Sequence, residues 1–232
     1  MGMPIVVEVR DGDVPDAVFD WFGQVDETFS TFKEGSEISW LRRGELGLDD
    51  ACPDVRDVLH RCRELRAETE GWFDVDAVGL DPSGYVKGWS VDRAAAILEG
   101  AGAHEYAINA GGDIRTRGRW RIGIQHPREP QAVAKVVEAD DVCIATSGGY
   151  ERGQHVLDPF TRAGSAGILS VTVTGPELGT ADAYATAAFA MGQRGVIDWT
   201  ARLRGYEALT ILADGRVLAT PGFPAASRAA RS

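Results

Sequence analysis

Four segments of this chain gather side chains able to do chemistry. In Ala181-Asp-Ala-Tyr-Ala-Thr186, Asp182 and Thr186 stand four positions apart, so a helix there would project a carboxylate and a hydroxyl from one face. Both are hard oxygen donors, suited to Mg²⁺ or Ca²⁺ rather than zinc. The plainer alternative is an aspartate complementing a helix dipole. In Asp81-Pro-Ser-Gly-Tyr-Val-Lys-Gly-Trp-Ser-Val-Asp92, two glycines surround Lys87 just ahead of an expected helix. Backbone N–H groups and an ammonium could then approach an anion together. The spacing is not that of a P-loop, and a simple turn with Ser90 as helix cap is the alternative.

The third segment, Ile108-Asn-Ala-Gly-Gly-Asp-Ile114, runs a strand into two glycines and an aspartate. Such a pair brings backbone close to a ligand or to another strand. It lacks the GxGxxG spacing and the following helix of a dinucleotide fingerprint. The fourth, Ala145-Thr-Ser-Gly-Gly-Tyr-Glu-Arg-Gly-Gln-His-Val-Leu-Asp-Pro159, collects hydroxyls, a tyrosine, one of four histidines and an Asp-Pro turn starter. A lone histidine is more often structural than catalytic, yet polar groups this dense behind a β-branched strand fit a loop lining a site.

These segments need elements to position them. Ile5–Val9 reads as a strand, and Val18, Trp21, Phe22, Val25 and Phe29 fall at helical spacing. Thr31 to Asp50 reads as a long polar loop carrying Ser36, Ser39, Arg42 and Arg43. Val55, Val58, Leu59, Cys62 and Leu65 predict a second helix. A turn-rich run then leads to Gly88, and a third helix passes through Val91, Ala95 and Leu98, closed by Gly100 and Gly102. Short β-branched strands follow around residues 107–109, 120–124, 133–138, 142–145 and 168–173. Thr180 to Met191 returns to helix, and Glu207–Leu212 with Val217–Ala219 predict a closing hairpin on an Asp-Gly turn. Helices and antiparallel strands without a regular βαβ rhythm predict the α+β class.

The chain has 232 residues, enough for one large domain or two intimate lobes. A net charge of −11 argues against nucleic acid or an anionic membrane as the main partner. Three cysteines without CxxC spacing argue against a zinc site or a disulfide framework and fit a reducing compartment. The first residues lack the pattern of a signal peptide, and no apolar run approaches bilayer length. The expectation is a soluble, cytoplasmic protein without membrane insertion.

Taken in order, GWFD, KGWSVD, NAGGDI, TSGGYERG, HVLDP, SVTVTGP and ADAYATAAFAMG resemble the motifs of the FAD:protein FMN transferase (ApbE-like) family. Phe29 to Ser39 is similar to that family's flavin-side loop. The resemblance runs from residue 1 to about residue 220. It implies a two-lobed single domain over residues 1–221 with mixed or antiparallel sheets, a FAD cleft between the lobes, and a disordered tail at 222–232. It also implies Mg²⁺ against the FAD pyrophosphate. The pyrophosphate is cleaved, FMN moves to a threonine of an acceptor flavoprotein, and AMP leaves. Some relatives give FMN to water instead, and a FAD-binding module without catalysis is the third reading. A monomer or homodimer is expected.

By the same resemblance, Asp182, Thr186 and the Val86 carbonyl bind the metal. Ser39, Phe73, Asp74, Lys87, Gly88, Asp92, Asn109, Gly111, Gly112, Asp113, Ser147, Gly148, Tyr150 and His155 lie along FAD. His155 is the implied base or phosphate contact, and it shares the catalytic role with Asp182. Four departures from the family pattern stand out. Tyr85 and Val86 are bulkier than usual, Met3 stands where threonine is common, and Trp40-Leu-Arg-Arg43 replaces a segment that typically has an asparagine. After Asp158-Pro159, the usual Arg-Thr-Gly is Phe160-Thr-Arg-Ala-Gly164, which displaces the arginine.

Overall fold

A computed structural model of the chain describes residues 2–77, 79–129, 131–149 and 156–224. The β-branched runs pair as a seven-stranded antiparallel sheet in the order β1-β2-β3-β6-β7-β8-β9. Its strands are β1 (Ile5–Val9), β2 (Tyr106–Ala110), β3 (Asp113–Arg117), β6 (Cys143–Gly148), β7 (Ile168–Gly175), β8 (Glu207–Leu212) and β9 (Val217–Ala219). The remaining two, β4 (Arg119–Gln125) and β5 (Val133–Asp140), form a separate hairpin. The helices are α1 (Asp16–Phe29), α2 (Glu37–Arg43), α3 (Pro53–Glu68), α4 (Ser83–Gly100), α5 (Leu178–Ala190) and α6 (Gly192–Thr200). No helix among the described residues is long and apolar enough to cross a membrane.

Alternation along the strands splits the interior into two cores. Cys143 and Ala145 join the large core with the helices, while Ile144 faces a second core with Leu209, Ile211 and, from the hairpin, Trp120, Ile124, Val137 and Ala139. The α+β class is thus realised as helices, sheet and hairpin in three layers. Fully buried Leu98 and Leu178 each stabilise this packing by roughly 1.5–3 kcal/mol.

Helix α5 sits at the centre, with eleven of its thirteen residues buried, as expected of a helix apolar nearly all round. It packs between α4 and strands β6 and β7. The α4–α5 seam is closed by glycine. A Cβ at Gly88 would run into the Leu178 carbonyl, and one at Gly179 would lie 2.8 Å from the Tyr85 ring. Helix α5 lacks a cap from its own N-cap residue, Glu177. Instead Asp92 of α4 accepts the Leu178 and Gly179 N–H groups at 3.1 and 2.9 Å.

Several expectations need correction. The loop over 31–50 contains α2, too short for periodicity to reveal. Its stop and start signals were present: Ser36 accepts the Ser39 N–H at 3.1 Å, and Gly44 closes it at φ 71°. Helix α4 begins at Ser83, not after Gly88, because Asp81 Oδ1 accepts the Ser83 N–H at 3.0 Å and Pro82 leads in. Lys87 and Gly88 are therefore helical, and Ser90 is no cap: its hydroxyl donates to the Lys87 carbonyl at 2.7 Å. Strand β3 and helix α6 had no counterpart in the sequence reading. Just past the domain edge expected at 221, Phe223 is buried in the second core, with Lys135 Nζ 5.1 Å from its ring centroid.

Candidate active site

The end of the central strand β6 and the helices leave a cleft of about 910 Å³, at the upper end of the usual range for ligand pockets. Its floor comes from the first two turns of α4, the end of β6 and the middle of α5. Its walls are the segments after α1, around residues 72–77 and around 157–162. Among the described residues, five aspartates line it (Asp26, Asp74, Asp81, Asp158 and Asp182) against three cations, Lys33, Lys87 and Arg162. A diphosphate entering this cleft would need an additional cation to offset the acidic balance.

The floor is organised around Lys87. Its Nζ lies 2.8 Å from Asp113 Oδ2 and 3.7 Å from Asp182 Oδ1. Asp113 is fully buried, and its other oxygen accepts the Thr146 N–H at 3.0 Å. One turn along α5 from Asp182, the Thr186 hydroxyl is 3.4 Å from that of Ser147. Gly84 leaves space at this point: a Cβ there would lie 3.2 Å from Thr186 Oγ1 and 3.3 Å from the Phe73 ring. Phe73 is itself fixed by its N–H bond to Thr69 Oγ1 at 2.9 Å.

Among the described residues no group of three or more His, Cys, Asp or Glu could hold a metal. The donors that do meet are one carboxylate, Asp182, and the hydroxyls of Thr186 and Ser147, beside buried Val86. An all-oxygen set with a single carboxylate suits a hard ion that completes its shell with water and substrate phosphate, as Mg²⁺ does. The residues present fit such an ion.

The structure brings Phe73, Asp74, Val86, Lys87, Ser147, Asp182 and Thr186 to the cleft. Asp74 also braces its own wall, accepting the Asp76 and Ala77 N–H groups and pairing with Arg66 Nε at 2.9 Å. Asp113 reaches the floor through Lys87. Gly88 lies in the α4–α5 seam. Ser39 is buried beneath the loop after α1. Asp92 pairs with Arg115 and caps α5; burial pushes its carboxyl up, against the lowering effect of the Gly179 amide and of Arg115. Gly148 ends β6 away from the cleft lining. Asn109, Gly111 and Gly112 build the β2–β3 hairpin turn. The glycines carry φ 57° and 98°, and Asn109 Oδ1 accepts the Gly112 N–H at 2.9 Å. Their reading as a tight turn accounts for the Gly-Gly pair. Tyr150 and His155 lie outside the described residues.

Phe32 and Lys33, which lie in the Phe29–Ser39 segment but were not singled out within it, and Arg162, named only as a departure from the family pattern, also line the cleft. Phe32 is 94% exposed, an unusual place for a phenyl ring, but exposure is invisible in a sequence. Lys33 is held by Asp26 at 2.6 Å.

Residues 74–210 match the ApbE family. A FAD:protein FMN transferase of Vibrio cholerae serotype O1 is 36% identical over 205 residues, covering 72% of this chain and 61% of that protein. One from Rhodobacter capsulatus is 34% identical over 176 residues, covering 64% of this chain and 33% of that protein. The chain thus spans between a third and three fifths of the length of these curated relatives. Among solved structures, Flavin Transferase ApbE from Vibrio cholerae aligns with a TM-score of 0.84 at 23% identity, over 96% of this chain and 95% of that one. The ApbE protein from Thermotoga maritima aligns with a TM-score of 0.82 at 21% identity, over 94% and 93%. With the family match running over more than half of its residues and the same overall fold, this chain belongs to the ApbE family.

Proposed function

We propose that this chain is a Mg²⁺-dependent FAD:protein FMN transferase, which cleaves the FAD pyrophosphate, attaches FMN to a threonine of an acceptor protein and releases AMP. The observation that carries this reading is the floor of the cleft. Lys87, fixed by Asp113, stands beside Asp182, with the Thr186 and Ser147 hydroxyls one helical turn away. The names of the curated relatives support the activity.

In this reading Asp182, Thr186 and the Val86 carbonyl hold the Mg²⁺. When bound, the ion neutralises charge developing on the pyrophosphate and on the departing AMP. The protein does the rest by placement. The ion pair with Asp113 keeps the Lys87 ammonium at the floor, where it adds one fixed positive charge against phosphate oxygens. The same pair holds Lys87 nearer Asp113 than Asp182, whose side chain lines the cleft. Phe32, Trp72 and Phe73 offer apolar walls for the ring systems. His155 is the proposed base for the acceptor hydroxyl.

The test is AMP release from FAD, followed by chromatography with and without Mg²⁺, with a threonine-containing acceptor peptide in a parallel reaction. Metal-dependent AMP together with a flavin-labelled peptide is the expected result. AMP without any labelled peptide would replace the transferase with a FAD hydrolase. Retained FAD with no AMP in any reaction would reduce the chain to a flavin-binding module.

A further inference from the structure

We infer that Arg162 binds the diphosphate of the flavin dinucleotide from the wall of the cleft, facing the floor made by Lys87 and Asp182; the inference rests on the FAD-cleaving reading above. Arg162 lines the cavity and has φ 63°, one of four non-glycine residues with positive φ among those described. Left-handed backbone is disfavoured for a side chain of this kind and persists where the surroundings over-determine it. Glycine would enter that region without strain, yet the nearest following glycine, Gly164, stands two positions on.

The surroundings do over-determine the turn. Asp158 Oδ1 accepts the Phe160 and Thr161 N–H groups at 2.8 and 3.0 Å. Its carbonyl accepts the Arg162 N–H at 2.8 Å, its N–H donates to Ala163, and Leu157 bridges to Gly164. Phe160 anchors the outer side, edge-on to Trp72 with centroids 5.0 Å apart. Gly71 makes room for it: a Cβ there would lie 3.1 Å from the Phe160 ring. The residues that displace the arginine along the sequence therefore also build the turn that returns it to the cleft.

Charge completes the argument. Of the three cations that line the cleft among the described residues, Lys33 is paired with Asp26 and Glu27, and Lys87 with Asp113. The Arg162 guanidinium makes no hydrogen bond or ion pair with the described residues, though five aspartates share the cavity wall with it. A planar guanidinium that lines the cleft without a partner among the described residues is suited to bidentate contact with phosphate.

The test measures binding of FAD, ADP and riboflavin in Mg²⁺-free buffer to the parent chain and to Arg162→Gln, Arg162→Lys and Arg162→Gly. Arg162→Gln should weaken FAD and ADP by about tenfold or more and leave riboflavin, which has no phosphate, unchanged. Arg162→Lys should recover part of the loss. Arg162→Gly should bind FAD as poorly as Arg162→Gln, while its Tm stays level or rises by up to about 4 °C as the backbone strain is relieved. Equal weakening of riboflavin, or FAD binding as tight as the parent's in Arg162→Gln, overturns the inference and leaves the flavin reading standing. A parent chain that binds no FAD overturns both.

Discussion

The Lys87 ammonium stands 2.8 Å from the Asp113 carboxylate, joining the second turn of α4 to the first residue of β3. Asp113 is fully buried, while the Lys87 side chain keeps 15% of its surface at the cleft. The pair therefore has a structural end and a functional end. Asp113→Asn keeps an acceptor for the Thr146 N–H but removes the carboxylate charge nearest Lys87, with Asp182 3.7 Å from the ammonium. Thermal melting should show a loss of roughly 1–3 kcal/mol, because a buried partner of a charge has been removed. The Mg²⁺ concentration giving half-maximal AMP release should rise, because the ammonium then competes with the ion for Asp182. An unchanged Mg²⁺ requirement would remove Asp113 from the positioning of this site.

Asp182→Ala should abolish AMP release while FAD binding is partly retained. The fold should tolerate the change, since Lys87 keeps its closer partner in Asp113. Chelation of Mg²⁺ from the parent protein should reproduce the same phenotype. Turnover by Asp182→Ala at the parent's rate would sink the metal assignment.

Gly88→Ala tests the seam that carries α5 to the cleft. Alanine favours helix over glycine by about 1 kcal/mol, but its methyl would collide with the Leu178 carbonyl, a backbone atom that cannot rotate away. The collision should win, with net destabilisation of about 1–3 kcal/mol and loss of AMP release as Asp182 and Thr186 shift. Gly100→Ala is the control: nothing lies within 4 Å of its added Cβ, so in urea titrations of both variants it should be neutral or stabilising where Gly88→Ala is destabilised.

Glu68 ties α3 to α5, accepting from the Tyr184 hydroxyl at 2.8 Å and from Arg61 at 2.6 Å. Partial burial raises its carboxyl, but the bonds from Arg61 and Tyr184 outweigh this and hold it below the ordinary 4.5. A lowered folded-state value means that this stabilisation is fully present above about pH 4.5 and is lost as the pH falls through the folded value. Comparing urea midpoints of the parent and Glu68→Gln from neutral to about pH 3 should show a gap of no more than about 1 kcal/mol that closes at the acid end. A gap that stays constant with pH would mean that Glu68 contributes through packing and not through its charge.

Much of this architecture was readable from the residues because it depends on near neighbours. Helical spacing located α1 and α3, β-branched runs located most strands, and the Asp-Gly turn placed β8 and β9. The four-residue interval put Asp182 and Thr186 on one face of a helix before any contact was known. Short or glycine-interrupted elements escaped. Helix α2 offers too few apolar positions for a period, and the start of α4 is set by Asp81 bonding the Ser83 N–H.

The identity of the cleft's working pairs was decided elsewhere. Gly111 and Gly112 read equally well as a ligand loop or a hairpin turn until the pairing of β2 with β3 placed both at the turn. Asp92, which the resemblance implies lies along FAD, supports the start of α5 by accepting the Leu178 and Gly179 N–H groups. Lys87 found Asp113 because β3 lies beside β6 beneath α4, and Arg162 returned to the cleft because Phe160 has Trp72 to lean on. Periodicity and turn chemistry are local properties that a sequence carries at every position. Which charge meets which depends on how distant elements pack and what that packing buries, and only the assembled core determines that.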